Sequence, residues 1–216
     1  MITRRTFLGA VLAAGTSYAL SGFALAAPDD SLAFLRAVEM DDARTVTTLL
    51  GRGTDPNLAN RYGEPALVLA AREGSMNALQ ALLASPALKV DATAANGNTA
   101  LMMAAYKRNR PAVDALLAKG AAVDREGWTP LHYAASAGDE ALAGLLLERG
   151  ARIDAVSPKA SGSFTPLMMA AREGHQDCAV FLAGKGADKR RRNGEGLTAA
   201  QIAERADHKS IAQALL

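Results

Sequence analysis

The apolar positions of this chain recur in two short phases that alternate along its length. One phase places a leucine ahead of a pair of small residues: Leu67 before Ala70-Ala71, Leu101 before Ala104-Ala105, Leu131 before Ala134-Ala135, and Leu167 before Ala170-Ala171. The other is a leucine pair, at 49/50, 82/83, 116/117 and 146/147. Each stretch covers only two turns at helical spacing, and glycines follow at 120, 150 and 186. Short helices ending on a left-handed glycine cap are the expected element. The positions Leu67, Leu101, Leu131, Leu167 and Ala200 stand 34, 30, 36 and 33 residues apart, and Phe34 lies 33 residues before Leu67. A fixed period of this size marks a repeat architecture, here of about six units.

The segments between the phases carry the start signals. Thr129-Pro130, Thr165-Pro166, Thr99 and Thr198 precede the first helix of their units. Threonine caps free helical N–H groups, and proline at the first helical position loses nothing because its N–H would have no partner. Gly53, Gly150-Ala151 and Gly186-Ala187-Asp188 close the second helix. The connection from Gly120 to Thr129 is about three residues short of the pattern, and that from Gly150 to Thr165 about three long. The longer one is expected to be a flexible tip at Ser157–Ser163.

These segments resemble ankyrin repeats, whose signature Thr-Pro-Leu-His-x-Ala is met in full by Thr129-Pro130-Leu131-His132-Tyr133-Ala134. The resemblance implies an all-α solenoid of helix-turn-helix units joined by β-hairpin fingers, with units near 30–62, 63–96, 97–126, 127–161, 162–194 and 195–216. It also implies that His132 hydrogen-bonds within its turn, and that His175 and His208 sit at an inter-helix turn. No unit of this kind buries its apolar face alone, so stability comes from stacking.

Composition agrees. The 216 residues include 48 Ala and 28 Leu but only 10 aromatics, which favours helix. The lone Cys178 excludes an intramolecular disulfide and a multi-cysteine zinc site, and it aligns with a core-facing position. Met102-Met103 and Met168-Met169 read as core filler, with a periplasmic copper site as the other reading.

Residues 1–26 read as an export signal. Arg4 and Arg5 precede an uncharged Ala/Gly-rich run to Ala26, with Ala24-Leu25-Ala26 as the cleavage site. Thr3-Arg4-Arg5-Thr6-Phe7-Leu8 resembles the twin-arginine export motif. Export by the general secretory route, or retention as an anchor, are the other readings. Cleavage after Ala26 would leave 22 basic and 22 acidic residues, a balance that does not support a broad nucleic-acid footprint. The expected location is the periplasm, with no membrane contact once the signal is removed.

No phosphate loop and no nucleophile–base order is present, so no catalytic residue, cofactor or metal ligand is assigned. The expected function is non-enzymatic binding of another protein by a monomer. The alternative is a small hydrolase or metal-handling protein on a repeat scaffold. Resemblance to exported bacterial proteins of this type points to a stress-defence enzyme as a candidate partner. In such stacks the residues after the alanine pair, and those before each Thr-Pro, face the concave surface. Here these are Arg72, Glu73, Tyr106, Lys107, Trp128, Phe164, Arg172 and Glu173. Trp128 and Tyr106, from adjacent units, are placed to share one patch, although Trp128 at that position also suits packing on its own hairpin. A second patch is Lys189, Arg190, Arg191 and Arg192, read either as a solvated finger tip or as a docking point for an acidic partner or anionic lipid.

Overall fold

The structure, a computed structural model, describes residues 28–216. The export signal read at 1–26 lies outside the described residues. Twelve α-helices form six successive helix–turn–helix pairs among them. The pairs are α1 (Pro28–Glu39) with α2 (Ala43–Gly51), α3 (Ala66–Glu73) with α4 (Met76–Leu83), and α5 (Ala100–Tyr106) with α6 (Arg110–Ala118). They continue with α7 (Pro130–Ser136) and α8 (Glu140–Glu148), α9 (Pro166–Glu173) and α10 (Gln176–Gly184), and α11 (Ala199–Arg205) and α12 (Lys209–Ala214). The first helices stack in chain order, α1 on α3, α3 on α5, and so on to α11.

The stacking works because almost every residue in these inner helices is buried. Residues 100–105 and 166–171 have relative exposures between 0 and 8% in every case. The alanine pairs let one helix approach the next closely, and Leu67, Leu101, Leu131 and Leu167 fill the space between them. Met102 and Met168 are fully buried, as filler. Cys178 is also fully buried, and its thiol is pushed up to about 12, mainly by burial and then by the charges of Glu140 and Asp139. A thiol so placed is inert.

The helix starts use one device with interchangeable parts. The backbone N–H of the capping threonine donates to the side chain three residues on: Met102 Sδ at 3.4 Å, His132 Nδ1 at 3.2 Å, Met168 Sδ at 3.4 Å, and Gln201 Oε1 at 3.0 Å. Thioether, imidazole and amide thus fill the same acceptor role.

The fingers between pairs are hairpin turns that form no strand among the described residues. Four of the five turn back with one or two cross-finger backbone bonds, such as Asn60 N–H to Glu64 O at 2.9 Å and Asn193 N–H to Leu197 O at 2.9 Å, and the short finger that ends on Trp128 has none. Among the described residues the sole bridge is Ala59 with Pro65, and no strand forms. The arms are too short for a ladder. Neighbouring fingers are instead tied by side chains to backbone. Asn57 Oδ1 accepts from Lys89 N–H at 2.7 Å, Asp91 Oδ1 from Ala122 N–H at 2.9 Å, and Asp154 Oδ1 from Asp188 N–H at 3.0 Å.

The long finger is not a loose tip. Ser157 is buried, Lys159–Ser161 make a 3-10 turn, and Phe164 N–H donates to Ser157 Oγ at 2.9 Å. Gly162 O accepts from Gly194 N–H at 2.8 Å on the next finger, and Pro158 lies against Gly127 of the short finger before it. The long finger is thus packed against the fingers on both sides.

The inter-helix turns add a second tie. His175 Nε2 bonds to Ser136 O at 2.9 Å, and His208 Nε2 to Arg172 O at 3.2 Å, each reaching back one repeat. The His175 ring lies where a side chain on Gly138 would point: a Cβ there would stand 2.5 Å from the ring. Gly138 also has φ +70°. Gly150, with φ +93°, has nothing within 4 Å of a Cβ. Gly150→Ala is therefore expected to cost only the left-handed strain, about 1 kcal/mol. Gly138→Ala should cost about 2 kcal/mol more, from overpacking on the ring, and His175→Ala should remove most of that excess. Denaturant unfolding of the single and double variants measures it. Equal costs at the two glycines would contradict the interlock.

Candidate functional site

The concave side of the stack carries the C-terminal ends of the inner helices and the last residue of each finger. Tyr106 ends α5 and is 51% exposed. Trp128 ends the short finger, and Tyr133 follows within the first half of α7. The Tyr106 and Tyr133 rings meet edge-on at 6.2 Å, as do Trp128 and Tyr133 at 6.2 Å, and Trp128 and His132 at 5.2 Å. Such T-shaped contacts are the favoured geometry for aromatic pairs. The Tyr133 hydroxyl donates to Asn98 Oδ1 at 2.6 Å, which fixes its ring across the repeat boundary. Burial pushes the Tyr133 phenol up, with the Asn98 bond opposing. Together these rings line a pocket of about 90 Å³ with Ser136 and Met169.

The structure thus brings Tyr106 and Trp128 into one patch, through Tyr133. Tyr133 was not singled out from the sequence, because it occupies the variable position of the Thr-Pro-Leu-His-x-Ala signature and reads as core. The signal was there: the equivalent positions hold Leu69, Met103, Met169 and Ile202, so Tyr133 is the one with a polar tip. Phe164 departs from expectation. It is 7% exposed, held under the long finger, with the Arg172 guanidinium over its ring at 5.0 Å. It supports Arg172 and does not offer its own face.

The remaining expected residues are not part of the pocket lining, and Arg72, Glu73, Arg172 and Glu173 are in ion pairs. Arg72 pairs with Glu64 through two bonds, at 2.8 and 3.0 Å, and with Glu73. Arg172 pairs with Glu173 at 2.8 Å. Lys107 is exposed at the end of α5. Lys189, Arg190, Arg191 and Arg192 are exposed on the last finger. Lys189, Arg190 and Arg192 border a separate groove of about 590 Å³, floored by Ala200, Leu215 and Leu216 at the end of the stack. The structure does not join this groove to the aromatic pocket.

His132 forms the floor of the pocket and is fully buried. Its Nδ1 accepts from Thr129, and its Nε2–H donates to Phe164 O at 3.0 Å. It therefore ties its own turn to the next repeat, a longer reach than a bond within the turn. Among the described residues no group of three or more His, Cys, Asp or Glu side chains gathers to hold a metal ion. No described helix is long and apolar enough to cross a membrane.

The family model described as "Ankyrin repeats (3 copies)" matches residues 34–124, 87–157 and 155–216. The chain belongs to the ankyrin repeat family. Its relatives include Protein glp-1 of Caenorhabditis elegans, 30% identical over 85% of this chain and 15% of that protein. The mouse RelA-associated inhibitor is 43% identical over 40% of this chain and 11% of its own length. Human SH3 and multiple ankyrin repeat domains protein 2 is 36% identical over 79% of this chain and 9% of its length. The chain thus spans less than a fifth of each of these relatives. Among solved structures, the ankyrin repeat domain of Bcl-3 matches with a TM-score of 0.68 and 28% identity, covering 83% of this chain and 81% of that one. An ankyrin stack with these relatives is a protein–protein interaction module.

His132 makes the ankyrin framework sensitive to acid. Burial lowers its pKa from 6.5 to about 4, opposed by bonds to the Phe164 and Ala155 carbonyls and by the Asp124 charge. The unfolded chain therefore binds the proton more readily than the folded one. Stability should be full above about pH 6.5 and fall as the pH drops toward 4, by roughly 3 kcal/mol in all. His132→Met, which copies the acceptor used by Met102 and Met168, should lose about 1 kcal/mol at neutral pH and flatten that decline. Urea midpoints measured across this range test it. An unchanged slope in the variant would show that His132 is not the titrating group.

Proposed function

We propose that this ankyrin protein is exported to the periplasm, where it holds a partner protein against its concave face and protects or regulates it without catalysis of its own. The observation that carries this reading is the uncovered pocket framed by Tyr106, Trp128 and Tyr133 at the middle of the stack. Trp and Tyr are the residues that dominate binding interfaces, because they bury large rigid surfaces at small entropic loss. The mixed charges of Arg72, Glu73, Lys107, Arg172 and Glu173 form the polar rim that such a centre requires. The mouse relative is by name an inhibitor associated with another protein, which is the kind of role proposed here. The location rests on Arg4, Arg5 and the apolar run that follows them.

Two measurements test it. Replacing Arg4 and Arg5 by lysine should leave precursor in the cytoplasm. Unchanged export would assign the general secretory route instead. With the partner isolated from periplasm, Trp128→Ala and Tyr106→Ala should each weaken calorimetric binding by about 2 kcal/mol or more. Substituting Arg190 and Arg192 should mainly slow association and reduce its salt dependence. Normal binding by both folded aromatic variants, together with loss on substituting the basic cluster, would move the site to the last finger.

A further inference from the structure

The aromatic pocket has a chemistry more specific than a generic interface. Its deeper polar groups are already bonded, while the side-chain polar groups of Tyr106, Trp128 and Ser136 make no hydrogen bond among the described residues. The Tyr133 hydroxyl is bound to Asn98, and both nitrogens of His132 are bound to Thr129 and Phe164. A carboxylate entering it would be stripped of water against the negative faces of aromatic rings and meet no counter-charge in the wall, which is strongly unfavourable. The volume, about 90 Å³, suits one small apolar side chain; a cavity of roughly 150 Å³ accepts benzene.

The charge near the rings is mixed, and Arg125 and Glu126, on the finger that carries Trp128, form no ion pair among the described residues. Arg72 is neutralised by Glu64 and Glu73, Arg108 faces Asp139 at 3.5 Å, and Arg172 is neutralised by Glu173. Lys107, next to Tyr106, has no ion pair among the described residues. Its ammonium repels a cation approaching the rings and attracts a carboxylate.

We infer that the pocket takes a peptide segment of the partner protein that inserts one uncharged apolar side chain between Tyr106, Trp128 and Tyr133 and sets a carboxylate against Lys107. This rests on the concave-face reading above and names the chemistry of what that face recognises.

Selection of a random displayed peptide library on the purified protein tests it, followed by calorimetry with the enriched peptides. The enriched sequences should carry an aliphatic residue or proline within a few positions of Asp or Glu. Tyr106→Ala should weaken them about tenfold or more, with Tyr106→Phe restoring most of the affinity. Lys107→Glu should weaken them about tenfold, and should have little further effect on a peptide whose acidic residue is replaced by its amide. Enrichment of peptides that place Lys or Arg in the pocket, still sensitive to Trp128→Ala, would overturn this inference and leave the concave site standing. Peptides indifferent to Trp128→Ala and Tyr106→Ala but lost on substituting Arg190 and Arg192 would overturn both. Selection that yields no peptide weakened by Trp128→Ala would do the same.

Discussion

Everything in this molecule depends on the burial of one repeat's alanine and leucine face against the next. An inner helix of seven or eight residues is too short to hold itself together in water. It persists because α5, α7 and α9 are each covered by a neighbour on both sides. The alanine pairs set the spacing, and the polar ties then fix register. His132, His175 and His208 each span a repeat boundary, while Asn57, Asp91 and Asp154 do so between fingers. Contacts are local throughout, so the stack behaves as a one-dimensional array.

That array puts the site at its middle. Tyr106 comes from one repeat, Trp128 and Tyr133 from the next, and Met169 from the one after. No single repeat owns the pocket, so its geometry is a product of stacking. The two unequal fingers belong to the same region. The short one ends on Trp128, and the long one packs Pro158 against Gly127 while binding Gly194 beyond. Arg72 and Arg172 pair with their own glutamates, whereas Lys107, which follows Tyr106, has no ion pair among the described residues.

Much of this was legible in the sequence, because the repeat signature fixes helix starts, cap residues and the buried leucine and alanine positions one by one. The shared patch of Tyr106 and Trp128 followed from their places in adjacent units. What escaped was what depends on the neighbour. Tyr133 sits at a position that is buried when occupied by Leu69 or Met103, and only its hydroxyl bond to Asn98 and the open space above it reveal a different use. Phe164 has the same sequence position as Trp128, yet it is covered, because the long finger and Arg172 close over it. The fingers read as hairpins and turn back as such, but they are tied to one another by side chains of adjacent repeats, which no single unit's pattern displays.

The central claim is that stacking makes the middle of the solenoid a stiff, preformed platform for its pocket. Amide hydrogen exchange of the free protein tests it most directly. The account predicts that amides of α5, α7 and α9 exchange only through global unfolding, with protection falling toward α1 and α12. Exchange of α7 by local opening of low free energy, with the terminal helices better protected, would contradict it.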